Sequence, residues 1–93
     1  MFKYKIRSTA QFKKDYKLAI KRNLVIDKLD SVIELLATDG FLPLEYNDHP
    51  LTVNKKGLRE CHIEPDWLLV YEIDRGLLVL VLTSTGTHSD LFK

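Results

Sequence analysis

The sequence predicts an α+β fold in which two N-terminal helices cover one face of an antiparallel sheet. Three observations carry this. Apolar residues recur at helical spacing over residues 10–22 and again over 26–38, with only a short break between. Two near-continuous apolar runs, Trp67 to Ile73 and Leu77 to Thr83, flank the turn residues Asp74, Arg75 and Gly76 and should form long antiparallel strands in the middle of the sheet. Leu58 to Ile63, ahead of the bend Pro65-Asp66, should pair with the first of them as a hairpin.

The elements follow in order. Phe2-Lys3-Tyr4-Lys5-Ile6 alternates apolar and basic, the period of a strand with one buried face. Ser8 or Thr9 can cap the first helix, because a hydroxyl there accepts a bond from an otherwise unpaired N–H of the first turn. That helix should bury Phe12, Tyr16, Ala19 and Ile20 and turn Lys13, Lys14, Lys17 and Lys21 to water. Asn23 tolerates the left-handed geometry that ends helices, and Asp39-Gly40 should stop the second helix, whose stripe is Leu29, Val32, Ile33, Leu35 and Leu36. Residues 41–56 are the least regular, a long loop of the sort that often carries function in a small domain. At the C-terminal end, Gly86 permits a sharp turn and Thr87 can cap a last short helix with His88 in its first turn. The expected order is β-α-α-β-β-β(-β)-α, one domain over residues 1–93.

Ninety-three residues, 45% hydrophobic, suffice for one core and exclude a cofactor-binding fold built of two halves. A single cysteine, Cys61, forms no internal disulfide, and neither a secretory leader nor a membrane-spanning run is found, so a soluble cytoplasmic protein is expected. The net charge of +1 conceals an asymmetry: residues 1–28 hold nine Lys/Arg against two acidic residues, +7, and the remainder holds five against eleven, −6. A basic N-terminal face can follow a phosphate backbone or dock an acidic protein segment, and it can equally be a solvated helix surface.

The chemistry concentrates in Gly57-Leu58-Arg59-Glu60-Cys61-His62-Ile63-Glu64-Pro65-Asp66-Trp67. Strand alternation puts Glu60 and His62 on one face and Arg59 and Cys61 on the other. All three histidines, His49, His62 and His88, follow residue 48, in segments that this topology can bring onto the uncovered face of the sheet. Three readings stay open. A metal site lacks any HExxH or paired Cys/His spacing. Ordinary surface histidines need no further motif. Metal-free acid/base cleavage of RNA by its own 2′-hydroxyl needs a base, an acid and groups facing the charged phosphorane. His49, His62, Asp66 and His88 are the candidates for proton transfer, Arg59, Lys55 and Lys56 for charge, and Trp67 and Phe92 for base stacking. Thr85-Gly86-Thr87 is too short for a phosphate loop and lacks a following Lys.

Asp48-His49-Pro50-Leu51, the stretch Gly57 to Tyr71, and Thr85-Gly86-Thr87-His88-Ser89-Asp90-Leu91-Phe92 together resemble the YafQ branch of the RelE/ParE toxin superfamily over essentially the whole chain. The resemblance implies a small toxin of a type II toxin–antitoxin system that cleaves mRNA in the ribosomal A site; neither metal nor cofactor is expected. It also implies a cognate DinJ/RelB-like antitoxin that wraps the toxin and alone contacts operator DNA. Carried over residue by residue, it assigns the active site to His49, His62, Asp66, Trp67, His88 and Phe92, with His88 donating a proton to the leaving oxygen, His49 or Asp66 serving the 2′-hydroxyl, His62 orienting or stabilising, and Trp67 and Phe92 holding bases or the shape of the site. One departure stands out. Relatives commonly carry an arginine just before the Thr-Gly-[Ser/Thr]-His motif, and this chain has Ser84. Hence a second hypothesis: a toxin-fold module weakened in cleavage that complexes an antitoxin and co-regulates its own operon. Gyrase-directed action, as on the ParE side of the superfamily, has no need of the retained His/Asp set.

Overall fold

In the computed structural model, residues 2–51 and 57–91 are described. The elements are β1 (Lys5–Ser8), α1 (Ala10–Lys21), α2 (Ile26–Asp39), a 3-10 turn (Leu44–Tyr46), β2 (His49–Pro50), β3 (Leu58–Glu64), β4 (Trp67–Asp74), β5 (Val79–Gly86) and α3 (His88–Leu91). The sheet order is β1-β5-β4-β3-β2. β2 to β5 are antiparallel, as expected, whereas β1 lies parallel to β5, making the sheet mixed.

Local signals account for the helix ends. Thr9 caps α1: its Oγ1 accepts from Phe12 N at 3.0 Å and donates to Thr83 O at 2.6 Å, so the cap also fastens the helix to β5. Asn23 takes φ 60° just beyond α1. Gly40 ends α2 at φ 75°, and a Cβ there would lie 2.8 Å from both Tyr4 Oη and Arg75 Nη1.

Phe12 and Ala19 of α1 and Leu29, Val32, Leu36 and Ala37 of α2 pack with Tyr4, Cys61, Trp67, Leu69, Tyr71, Leu80 and Leu82. Helices thus cover one face, and the alternate strand residues point to the other. The differences from expectation are local. The first strand starts at Lys5 because Tyr4 N donates to Ala37 O at 2.9 Å, tying that residue to α2. Ile20 is exposed rather than packed. The β4–β5 turn takes its positive φ at Leu78 (56°), not at Gly76, and so delays β5 to Val79. β5 then runs on to Gly86, with an irregularity opposite Val70/Tyr71 that takes Ser84 into the strand.

Candidate active site

The open face is built by register. His49 sits opposite Glu60, Glu60 opposite Val70, and Val70 opposite Ser84, one row across four strands. His62, Leu68 and Gly86 form the next row. Two residues beyond Gly86, His88 opens α3 and turns back beside the hairpin tip at Pro65-Asp66.

Segments far apart in the chain thereby gather three imidazoles. The rings of His49 and His62 are 6.2 Å apart between centroids, and those of His62 and His88 are 5.9 Å apart. His62 is therefore central, with one histidine on each side. Each flanking histidine has a carboxylate. His88 Nδ1 lies 2.8 Å from Asp66 Oδ1, which also accepts from His88 N at 3.1 Å. This contact holds the Asp66 carboxyl below its ordinary range. Nδ1 of His88 is thus directed at a carboxylate. His49 Nε2 lies 3.3 Å from Glu60 Oε1, and its Nδ1 is 3.1 Å from Pro50 O. Both ring nitrogens of His49 face oxygen acceptors. Glu60 is 5% exposed, a carboxylate buried in the row beneath the histidines. Among the described residues, no hydrogen-bond partner meets the buried Nδ1 of His62.

Glu60 was missing from the residues that the sequence nominated. Alternation placed it beside His62, but burial is not visible in alternation. His49, Glu60 and His62 also offer one ligand atom each within 4.8 Å of one another, a set able to hold a metal ion.

Two expected contributors lie elsewhere. Arg59 points to the helix-covered side, as alternation requires: its Nε donates to Asp48 Oδ1 at 3.1 Å, and Tyr71 Oη donates to the same oxygen at 2.7 Å. Burial and then the Asp48 hydrogen bond raise the Tyr71 phenol above its ordinary value. The guanidinium is thus committed to the segment leading into His49 and does not face the histidine row. Trp67 is 2% exposed, with its Nε1 donating to Thr85 Oγ1 at 3.0 Å and that hydroxyl donating to Leu68 O at 2.6 Å. Its ring is packed in the core and unavailable for stacking on a base, so it braces the β4–β5 pair below the site. Lys55, Lys56 and Phe92 lie outside the described residues. No helix among the described residues is long and apolar enough to cross a membrane.

The chain is 43% identical over 93 residues to the mRNA interferase toxin YafQ of Escherichia coli strain B, with 99% of each chain covered. Its backbone matches the toxin in the crystal structure of the E. coli DinJ-YafQ toxin–antitoxin complex at TM-score 0.90 and 40% identity, covering 98% of this chain and 99% of that one. It also matches the crystal structure of a metal-bound toxin from Helicobacter pylori, at TM-score 0.88 and 40% identity over 99% and 100% of the two chains. Residues 4–93 fit the family described as the bacterial toxin of type II toxin–antitoxin system, YafQ, and the chain belongs to that family.

Proposed function

We propose that the protein is a ribosome-dependent endoribonuclease that cleaves mRNA by metal-free attack of a 2′-hydroxyl. The observation that carries this reading is the line of three imidazoles ending in a carboxylate at each side, Glu60–His49 and His88–Asp66. In-line displacement at phosphorus needs a base and an acid on opposite sides of the phosphorane, with donors between them. The His49–Glu60 couple takes the 2′-hydroxyl proton. The 2′-oxygen bonds to phosphorus, and the bond to the 5′-oxygen breaks as His88 delivers a proton to it. A 2′,3′-cyclic phosphate and a 5′-hydroxyl are left. Asp66 already accepts two hydrogen bonds from His88, so its role is to orient that ring and stabilise its charged form, as a triad carboxylate does. His62, between them, faces the non-bridging oxygens. Lys55 and Lys56 remain the candidates for added charge, and Phe92 for holding a base. The cleft of about 670 Å³ beside His62 is walled by Lys28 and Ser31 of α2, by Tyr46, Asn47, Ile63 and Pro65, and by the carboxylates Glu45 and Glu64, and its volume is enough for a neighbouring nucleotide.

In the same reading, a DinJ/RelB-like antitoxin restrains the enzyme in the cytoplasm and carries the operator contacts. The exposed lysines of α1 and the edge strand β1 are the surfaces offered to it. Primer extension on mRNA after induction, comparing wild type with His88→Ala, tests the function: cuts in phase with codons are expected only in the former. Growth arrest and cleavage both absent, with antitoxin binding intact, would leave the regulatory binding module. A metal-dependent variant of the chemistry has the His49, Glu60 and His62 cluster in its favour. Cleavage abolished by a chelator and restored by a divalent ion would replace the metal-free mechanism with it.

A further inference from the structure

His88 rides on a four-residue helix with no buried residue, so packing does little to fix it. Polar tethers do the work on two sides. Asp66 holds the imidazole. On the far side, Asp90 and Thr87 bond reciprocally, Thr87 N to Asp90 Oδ2 at 3.0 Å and Asp90 N to Thr87 Oγ1 at 3.1 Å. The same carboxylate is gripped by Arg22, with Nη1 at 2.7 Å from Oδ2 and Nη2 at 3.4 Å from Oδ1. Arg22 is the C-cap of α1, its own N–H bonded to Leu18 O at 2.9 Å, so the guanidinium reaches out from a rigid element. Seven residues earlier on that helix, Asp15 Oδ2 accepts from Thr85 N at 3.1 Å. Positions seven apart share one helix face, so one face of α1 holds the β5–α3 connection at both of its ends. Between the two ties lies a cleft of about 190 Å³ bordered by Leu18, Trp67 and Gly86, so the ionic contact spans unfilled space. Gly86 allows the approach: a Cβ there would stand 2.9 Å from Asp90 Oδ2.

We infer that Arg22, through Asp90, is a positioning residue for His88, making α1 a structural part of the active site. The inference rests on the nuclease reading for its kinetic consequence but not for its geometric one. Arg22 touches no substrate in this account. It sets the distance of the imidazole from the scissile bond. Because the pair is exposed, its loss costs little global stability, and the effect falls on placement.

Three variants test it in full-length toxin released from its antitoxin complex: Arg22→Ala, Arg22→Lys, and Asp90→Asn, which keeps an oxygen for Thr87 N while removing the charge. Misplacing a reacting group by about an ångström can cost on the order of a hundredfold. Arg22→Ala and Asp90→Asn are accordingly expected to lower kcat for ribosome-bound message by about tenfold or more with KM nearly unchanged, and Arg22→Lys to recover part of the loss. The second readout needs no cleavage. Since the His88 contact is what depresses the Asp66 carboxyl, loosening α3 should let its titration midpoint, followed by carboxyl-carbon NMR, rise toward the ordinary value. In Asp90→Asn the loss of the Asp90 charge alone would lower the Asp66 midpoint, so a rise in that variant reports the loosened His88 contact. An unmoved Asp66 midpoint in folded Arg22→Ala overturns the inference. Wild-type protein that cuts no message under any condition removes the nuclease reading instead, while the Asp66 titration still decides the latch.

Discussion

Replacing Ser84 by arginine probes the position where the family resemblance implies a cation, and the register says where the new side chain would go. Ser84 pairs with Val70, and Val70 with Glu60, so Ser84 shares the open face with the histidines. It lies two strands from Glu60, roughly 10 Å at ordinary strand spacing. A guanidinium added there looks across Val70 toward the buried Glu60 carboxylate and the site of the developing phosphorane. At about 10 Å and an effective dielectric near 20, its attraction to Glu60 amounts to about 1.7 kcal/mol before salt screening. That is enough to bias the side chain over the face but less than the roughly 3 kcal/mol that a fixed cation contributes against transition-state charge in a site that excludes water. Ser84→Arg is therefore expected to raise the single-turnover cleavage rate of ribosome-bound message, by up to about a hundredfold if the cation is simply missing. Ser84 is half-buried in β5, where a long side chain can run its stem along apolar neighbours and keep its head in water, so folding should survive. Rates are compared at matched ribosome concentration, with near-ultraviolet circular dichroism confirming the fold. An unchanged rate would mean that Lys55, Lys56 or His62 already supplies the charge. A reduced rate in folded protein would mean that the serine has its own task, and either result refutes the missing-cation argument.

Gly40→Ala forces a left-handed φ on a residue with a Cβ and drives that atom to 2.8 Å from Tyr4 Oη and Arg75 Nη1. The expected cost is about 2 kcal/mol, read as a fall in Tm of roughly 10 °C for a domain of this size. The small contribution of the exposed Arg22–Asp90 pair to stability should depend on pH. The hydrogen bonds of Arg22, followed by that of Thr87 N, depress the folded-state pKa of Asp90 far below the ordinary 3.8, so the stabilisation is present above that ordinary value and is lost as pH falls toward the folded value. The Tm difference between wild type and Arg22→Ala should thus be constant above about pH 5 and shrink below pH 4. A gap that persists at low pH would assign the effect to packing. Cys61 is buried and its thiol is pushed up to about 12, chiefly by desolvation, so labelling by an aromatic disulfide at pH 8 should proceed only as fast as the protein opens. Rapid native-state labelling would contradict the closed core at β3.

What could be read directly from the chain was local. Thr9, Asn23 and Gly40 act through atoms three or four residues away, and each performs the capping or terminating role its chemistry suggests. Strand alternation likewise separates Arg59 from His62, and the structure supplies the reason it matters: Arg59 serves Asp48 beneath the sheet while His62 looks out from above it. Pairings made over long separations were not legible. The parallel seat of β1 beside β5 joins residues 74 apart, and nothing in the Lys5–Ser8 stretch announces a direction. The burial of Trp67 belongs to the same class, since a tryptophan entering a strand next to a polar turn is equally consistent with a platform for bases and with a core residue until the covered face is known.

The site itself divides along this line. Its histidines declared themselves by residue type, whereas the groups that orient them are ordinary acidic and basic residues whose meaning is entirely spatial. Glu60 becomes significant by being 5% exposed under His49, and Asp90 by meeting Arg22 across 68 positions. Carboxylates at those positions look, in one dimension, like any others on a solvated surface. In the proposed site such partners hold the geometry, because a four-residue helix with no fully buried residue has little rigidity of its own. The residues that set the rate in a small enzyme of this design are therefore expected to include several with no chemistry to recommend them, and Arg22, a surface cation at the end of a helix, is where that expectation meets its most direct test.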